Sequence, residues 1–251
     1  MSPIGIGFIV LACVFGGAML GMVLHTILPE HHLSTESKDV IKLAMGVTAT
    51  MSALVLALLV ASAKSSYDAQ KSEITKMSAN AVVLDRLLAH YGPETKDARE
   101  VVREAVNRMI GQIWPSESNR PAQSDPTTAG GEILLDKIQG LSPQNDAQRS
   151  LQAQALRIAI DIGQTRWLLI EQSGSSIPMP FLVLLIFWVT IIFISFGLYA
   201  PRNATVIGAL LLCALSVSGA IYLILELDRP FEGLIQISSA PLHNAAAHLG
   251  K

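Results

Sequence analysis

Four stretches of the chain contain no Asp, Glu, Lys or Arg: residues 4–28, 43–63, 173–201 and 203–225. A bilayer hydrocarbon core about 30 Å thick takes about 20 residues of helix to cross, and each stretch reaches that length. The pattern predicts four transmembrane helices arranged as two hairpins. Residues 29–39 join the first pair, and a short link around Ala200-Pro201-Arg202 joins the second. Between the hairpins, residues 64–176 form an insert in which polar and apolar positions mix. The expected organisation is a first transmembrane hairpin at 1–63, a helical cytoplasmic domain at 64–176, a second hairpin at 177–225, and a C-terminal motif with an amphipathic tail helix at 226–251.

The insert reads as helices. Tyr67, Ile74, Met77, Ala81, Leu84, Leu88 and Tyr91 recur at three- and four-residue steps, which places them on one helical stripe. Nothing breaks the chain between the second apolar stretch and this stripe, so one long helix is expected to run out to Tyr91. Gly92-Pro93 stops it. A second stripe, Ala98, Val102, Ala105, Met109 and Ile113, ends at Trp114-Pro115. Residues 116–131 read as a Ser/Pro/Thr/Gly loop, and residues 132–140 as a short helix. Ser142-Pro143 is the expected N-cap and first position of a last helix carrying Leu151, Ala155, Ile158, Ile162, Thr165 and Leu169. Pro178 and Pro180 predict a bend at the entrance to the third stretch. No stretch alternates as a strand would. The fold class is therefore an all-α membrane protein whose insert stripes form core.

Composition narrows the function classes. The chain is 51% hydrophobic and only 15% charged, against about 25% charged in typical soluble domains. A net charge of −2 and the absence of a basic patch argue against a nucleic-acid partner. The first stretch lacks a basic leader and is too long for a signal-peptide core, so it is expected to remain as an anchor. Cys13 and Cys213, both in apolar stretches, are expected as small buried hydrophobes. Lys64, Lys71, Lys76, Arg166 and Arg229 flank the membrane ends on the insert side. Lys38, Lys42 and Arg202 lie on the other. That bias predicts a cytoplasmic insert and cytoplasmic termini in a bacterial inner membrane.

Catalytic patterns do not emerge. No glycine-rich phosphate loop is present, and no Ser or Cys sits in a nucleophile signature. His31-His32 beside Glu30 is a poor ligand set, and His243 and His248 are five apart. The expectation is a protein that is not an enzyme, with no cofactor and no metal site.

Charge returns at the end of the fourth stretch, in Glu226-Leu-Asp-Arg-Pro-Phe-Glu-Gly233. At 1.5 Å per residue, residues 203–226 span about 35 Å, which puts Glu226 at the interface. Glu226 and Arg229 are spaced to pair on one helix face, and Asp228 points elsewhere. Pro230 breaks the helix. Phe231, Leu234, Ser238, Leu242, Ala245 and Leu249 then predict an amphipathic tail helix. Glu226, Asp228, Arg229, Pro230, Phe231 and Gly233 are read as a structural motif tying the fourth span to the insert.

Together with Phe196-Gly-Leu-Tyr-Ala-Pro-Arg-Asn203, Ser66-Tyr67 and Trp114-Pro115, the segment Ile224-Leu-Glu-Leu-Asp-Arg-Pro-Phe-Glu-Gly-Leu-Ile-Gln-Ile-Ser238 resembles the bestrophin-like family, a domain of unknown function. More distantly, Ser176-Ile-Pro-Met-Pro-Phe181 and Pro230-Phe231-x-Gly233 are similar to the Ile-Pro and Asn-Pro-Phe-Gly segments of the bestrophin ion channels. That resemblance implies a homo-oligomer, a pentamer in bestrophins, with a pore lined by the second span and monovalent anions as the main permeant inorganic ion, although some bacterial members of that family pass cations. Membrane lipid is the other expected partner. Bestrophins of animals follow Pro-Phe-Gly with an acidic run that helps hold calcium. Here Leu234, Ile235 and Gln236 stand there, and they do not supply the oxygens that calcium needs.

Within the second span, Met45, Thr48, Ser52, Val55, Leu59 and Ser62 share one helical face. Read as pore lining, this face has hydroxyls near the outer end and an apolar constriction at Val55 and Leu59. Lys42 and Lys64 bracket it and would form two positive rings in an oligomer, raising local anion concentration. The alternative is a non-conducting membrane scaffold or signalling protein whose helical insert binds partners.

Overall fold

A computed structural model describes residues 2–29, 35–114, 129–171, 177–231 and 233–250. All the regular structure among them is helical. The α-helices are α1 (Pro3–Ile27), α2 (Thr35–Tyr91), α3 (Lys96–Ile113), α4 (Ala129–Gln139), α5 (Asp146–Glu171), α6 (Met179–Tyr199), α7 (Ala204–Leu227) and α8 (Ala240–His248). Four of them, α1, α2, α6 and α7, contain a segment long and apolar enough to cross a membrane. The chain divides into two compact units. One holds residues 1–67 and 175–229; the other holds 68–174 and 230–251.

In the first unit α1 packs against both α6 and α7. Its start is set by Ser2, whose Oγ accepts a hydrogen bond from the Gly5 N–H at 3.2 Å, with Pro3 at the first helical position. Gly17 and Gly21 lie four apart on α1 and meet α6 backbone to backbone. A Cβ added at Gly21 would overlap the Ile194 carbonyl oxygen, and one added at Gly197 would overlap the Ala18 carbonyl. At Gly17 it would sit 3.0 Å from the Thr190 methyl. This is the small-residue approach by which helices gain dispersion contacts in lipid, where apolar surface alone gives no preference for protein neighbours. Val10, Val14, Ala18, Leu185, Ala214 and Ile221 fill the core around it. Two polar ties accompany the packing. Ser218 donates to the Gly7 carbonyl at 2.6 Å, and the Arg202 guanidinium donates to the Met22 carbonyl near the end of α1. Cys13 and Cys213 are exposed rather than buried; their apolar stretches present a wide outer face that the protomer does not cover.

α2 runs unbroken through 57 residues, as its uninterrupted pattern predicted, and ends where Gly92 takes φ +142° ahead of Pro93. In the second unit its stripe Ile74, Met77, Ala81, Leu84, Leu88 and Tyr91 is buried core, and polar contacts tie α2 there to α3 and α5. On α3, Val106 and Ile110 join Ala98, Val102 and Met109 in the core, while Ala105 and Ile113 sit at its margin. A buried carboxylate, Asp85, accepts two hydrogen bonds from Arg99, Nε to Oδ1 at 2.8 Å and Nη2 to Oδ2 at 2.9 Å. The Gly250 N–H adds a third at 3.2 Å. Asn80 and Lys76 both reach Asp161 on α5, at 2.7 and 3.4 Å.

Several expected boundaries move. α4 begins at Ala129, inside the expected loop, and α6 begins at Met179, because the extended backbone at Pro178 delays it. Ser142-Pro143 is not the cap of the last helix. Asn145 takes that place, its Oδ1 accepting from the Gln148 N–H at 2.8 Å, and α5 starts at Asp146. The tail helix is only Ala240–His248. Phe231 and Ser238 lie outside it, and Leu234 is 82% exposed; residues 230–239 are held by other contacts, described below. Glu30, His31, His32, Pro115, most of the 116–131 loop, Ser175, Ser176 and Glu232 fall outside the described residues.

Candidate functional site: an uncovered helix and an anchored loop

Of the four apolar helices, α2 is covered least. Only 11% of its most apolar window is buried, against 28–39% in the other three. The eight positions read from the sequence divide clearly. Ser52 and Leu59 are buried inside the protomer, and Leu59 belongs to the core with Ala63. Met45, Thr48, Val55 and Ser62 are half-buried. Lys42 and Lys64 are exposed. Lys42 pairs with Asp39 at 3.3 Å, and the Lys64 ammonium lies 5.4 Å from the centre of the Tyr67 ring. The hydroxyls on this face bond back to their own helix: Thr48 donates to the Ala44 carbonyl and Ser52 to the Thr48 carbonyl, at 3.0 and 2.8 Å. Such back-bonding satisfies a polar side chain inside a packed helix without any water-filled path.

The open side of α2 lies next to that face. Positions 40, 44, 47, 51, 54, 58, 61, 65, 68, 72, 75 and 79 alternate steps of four and three, and all of them are exposed. In the apolar part the seam carries Val47, Met51, Leu54 and Leu58. Beyond it the same phase carries Ala61, Ser65, Asp68, Ser72, Thr75 and Ala79. Recurrence at about 3.5 residues per turn is the spacing at which parallel helices keep one seam facing their neighbours. Sequence reasoning passed over this seam because nearly every residue of the stretch is apolar; polarity pointed to the hydroxyl face, which faces the chain's own helices.

The C-terminal motif is anchored. α7 ends at Leu227, and the Asp228 N–H bonds the Ile224 carbonyl at 3.2 Å. Glu226 is 3% exposed and hydrogen-bonds with the Tyr222 hydroxyl. The chain passes from the first unit to the second between Arg229 and Pro230. There the Pro230 carbonyl accepts from the Ile237 N–H at 2.7 Å, closing a loop. Gly233 takes φ +86° within it, a left-handed conformation that costs glycine little. Trp114, fully buried, donates its indole N–H to the Ile237 carbonyl at 2.9 Å and meets the Phe231 ring edge-on at 5.8 Å. Pro230, Phe231 and Gly233 thus shape a loop that Trp114 holds in place.

The bestrophin-like domain family matches residues 12–242, nearly the whole chain. This chain is a member of the bestrophin-like family. With four such helices, the bestrophin-like protein is a membrane protein in contact with lipid. No curated protein and no solved structure matches it. Among the described residues, no three His, Cys, Asp or Glu side chains group so as to hold a metal ion.

Proposed function

We propose that the protein is an oligomeric ion channel in which copies of α2 surround the ion path. The observation that carries this reading is the large uncovered side of α2, which includes exposed positions at heptad spacing from Val40 to Ala79. These positions are exposed in the protomer, and parallel copies meeting along them would cover them. Val47, Met51, Leu54 and Leu58 then form an apolar constriction that gates by dewetting. Ser65, Ser72 and Thr75 line a wetter vestibule outside the apolar part. Met45, Thr48, Val55 and Ser62 flank the seam, and Ser52 and Leu59 support it from inside the protomer. Bestrophin channels are pentamers, and five copies is the stoichiometry proposed here. Insert and termini face the cytoplasm of a bacterial inner membrane, in line with the lysines and arginines around the insert. The motif from Glu226 to Gly233 serves assembly: Trp114 holds its loop, and Arg229 lies at the crossing between the units.

An anion-conducting form is the second reading, favoured by Lys64 and Lys71, which stand beside the seam. The test is ion flux from vesicles reconstituted with the purified full chain. Flux above that of protein-free vesicles, raised by Leu58→Asn, which wets the constriction, supports the channel. Absence of flux in both forms leaves the scaffold reading.

A further inference from the structure

We infer that Lys38, Tyr199 and Arg202 form a headgroup site for an anionic phospholipid. The inference is independent of ion conduction and needs only the membrane spans. All three residues belong to the first unit. Tyr199 is the last residue of α6, Arg202 lies in the link to α7, and Lys38 is in the first turn of α2. The Lys38 ammonium lies 5.6 Å from the centre of the Tyr199 ring. The Arg202 guanidinium, three residues beyond Tyr199, donates to the Met22 carbonyl on α1. These contacts draw α1, α2 and the α6–α7 link to one place at the end of the apolar spans.

Two cations are gathered there, and Lys38 has no carboxylate partner among the described residues. Of the acids beside it in the chain, Asp39 pairs with Lys42 at 3.3 Å. Glu36 is two residues away, a spacing that does not face Lys38 on a helix. Arg202 spends one of its nitrogens on Met22 and keeps its other donors. The Tyr199 hydroxyl is buried with no hydrogen-bond partner among the described residues. Buried donors are ordinarily met, so the place is one partner short. A phosphodiester supplies negative charge for both cations and acceptor oxygens for their N–H groups. The apolar surroundings favour a lipid over free phosphate. Phe196, one turn before Tyr199 on α6, is 51% exposed, and an acyl chain below the headgroup would cover it. Basic side chains at a membrane end also snorkel to the interface, but snorkelling alone selects no headgroup.

The test uses the purified full chain, stripped of lipid in detergent. Its melting temperature and its native mass are followed as phosphatidylglycerol, phosphatidylcholine or inorganic phosphate is added. Phosphatidylglycerol is expected to raise the melting temperature and to stay bound in native mass spectra; the other two should do neither. Lys38→Gln should weaken the apparent affinity about tenfold, and Lys38→Arg should keep it. Arg202→Gln should weaken it as far, at a lower melting temperature because the tie to Met22 is lost as well. Lys42→Gln should leave it unchanged, because Lys42 already pairs with Asp39. Equal action of phosphatidylcholine or of inorganic phosphate overturns the anionic lipid as ligand. An affinity unchanged in Lys38→Gln overturns the site.

Discussion

The two helices of the first hairpin meet their surroundings in opposite ways. α1 presses Gly17 and Gly21 into the backbone of α6, so its neighbours belong to its own chain. α2 offers small residues as well, but at Gly46 an added Cβ would touch nothing. One side of α2 is covered by the protomer; the other is bare in a repeating phase. The lesson is that small residues in a membrane helix have no fixed meaning. Beside a facing backbone they are packing, and with nothing before them they leave room for a partner or for water.

Substitutions on the covered and the open sides of α2 should separate most widely in the insert. Arg99→Ala leaves the Asp85 carboxylate, whose side chain is only 3% exposed, without its ion pair. The cost should be about 3–5 kcal/mol, read as a loss of the cooperative melt of the purified protein. Thr75→Ala on the seam should leave that melt unchanged. In the apolar helices, Gly21→Ala should cost about 1–3 kcal/mol by overpacking, seen as a lower melting temperature in detergent, while Gly46→Ala should cost nothing measurable. Equal effects at Gly21 and Gly46 would break the contrast between α1 and α2.

Smaller effects sharpen the covered side. Trp114→Phe keeps the ring but removes the donor to the Ile237 carbonyl, and should cost about 1 kcal/mol and speed amide exchange in residues 233–239. Tyr91 tests pH. Burial first, and the nearby Glu94 second, push its phenol above the usual value, and its hydroxyl has no hydrogen-bond partner among the described residues. A raised acid favours the neutral form in the folded state. Its contribution is therefore full below pH of about 10, the ordinary phenol value, and is lost as pH rises through the folded one. Tyr91→Phe should lessen the fall in melting temperature above that pH and change little at neutrality.

Much of the fold was legible because its signals are local. Charge-free runs mark the four apolar helices, and the unbroken pattern through Ala63 and Tyr67 marks the continuity of α2. Gly92-Pro93 marks its end. The cap of α5 was misplaced because Ser142-Pro143 and Asn145 carry similar capping chemistry three residues apart. The tail helix was drawn too long because Phe231 and Leu234 fit a helical spacing. Phe231 is in fact claimed by Trp114, more than a hundred residues away in the chain, and such a contact leaves no local trace. The candidate site was half visible. The second apolar run was recognisable as the helix of interest, but the choice of face followed hydroxyl groups. In a helix apolar on all sides, only the burial of residues such as Leu59 and Ala63 in the core of the first unit shows which face is covered.

The central claim is that the seam of α2 faces copies of itself. Its most direct test is oxidative cross-linking of single cysteines introduced along α2 in membranes, with Cys13 and Cys213 replaced by alanine. The account predicts covalent dimers for Val47→Cys, Leu54→Cys, Ala61→Cys and Thr75→Cys, and none for the buried neighbours Ser52→Cys and Leu59→Cys. Cross-links that ignore this phase, or that are absent along the whole seam, would contradict it.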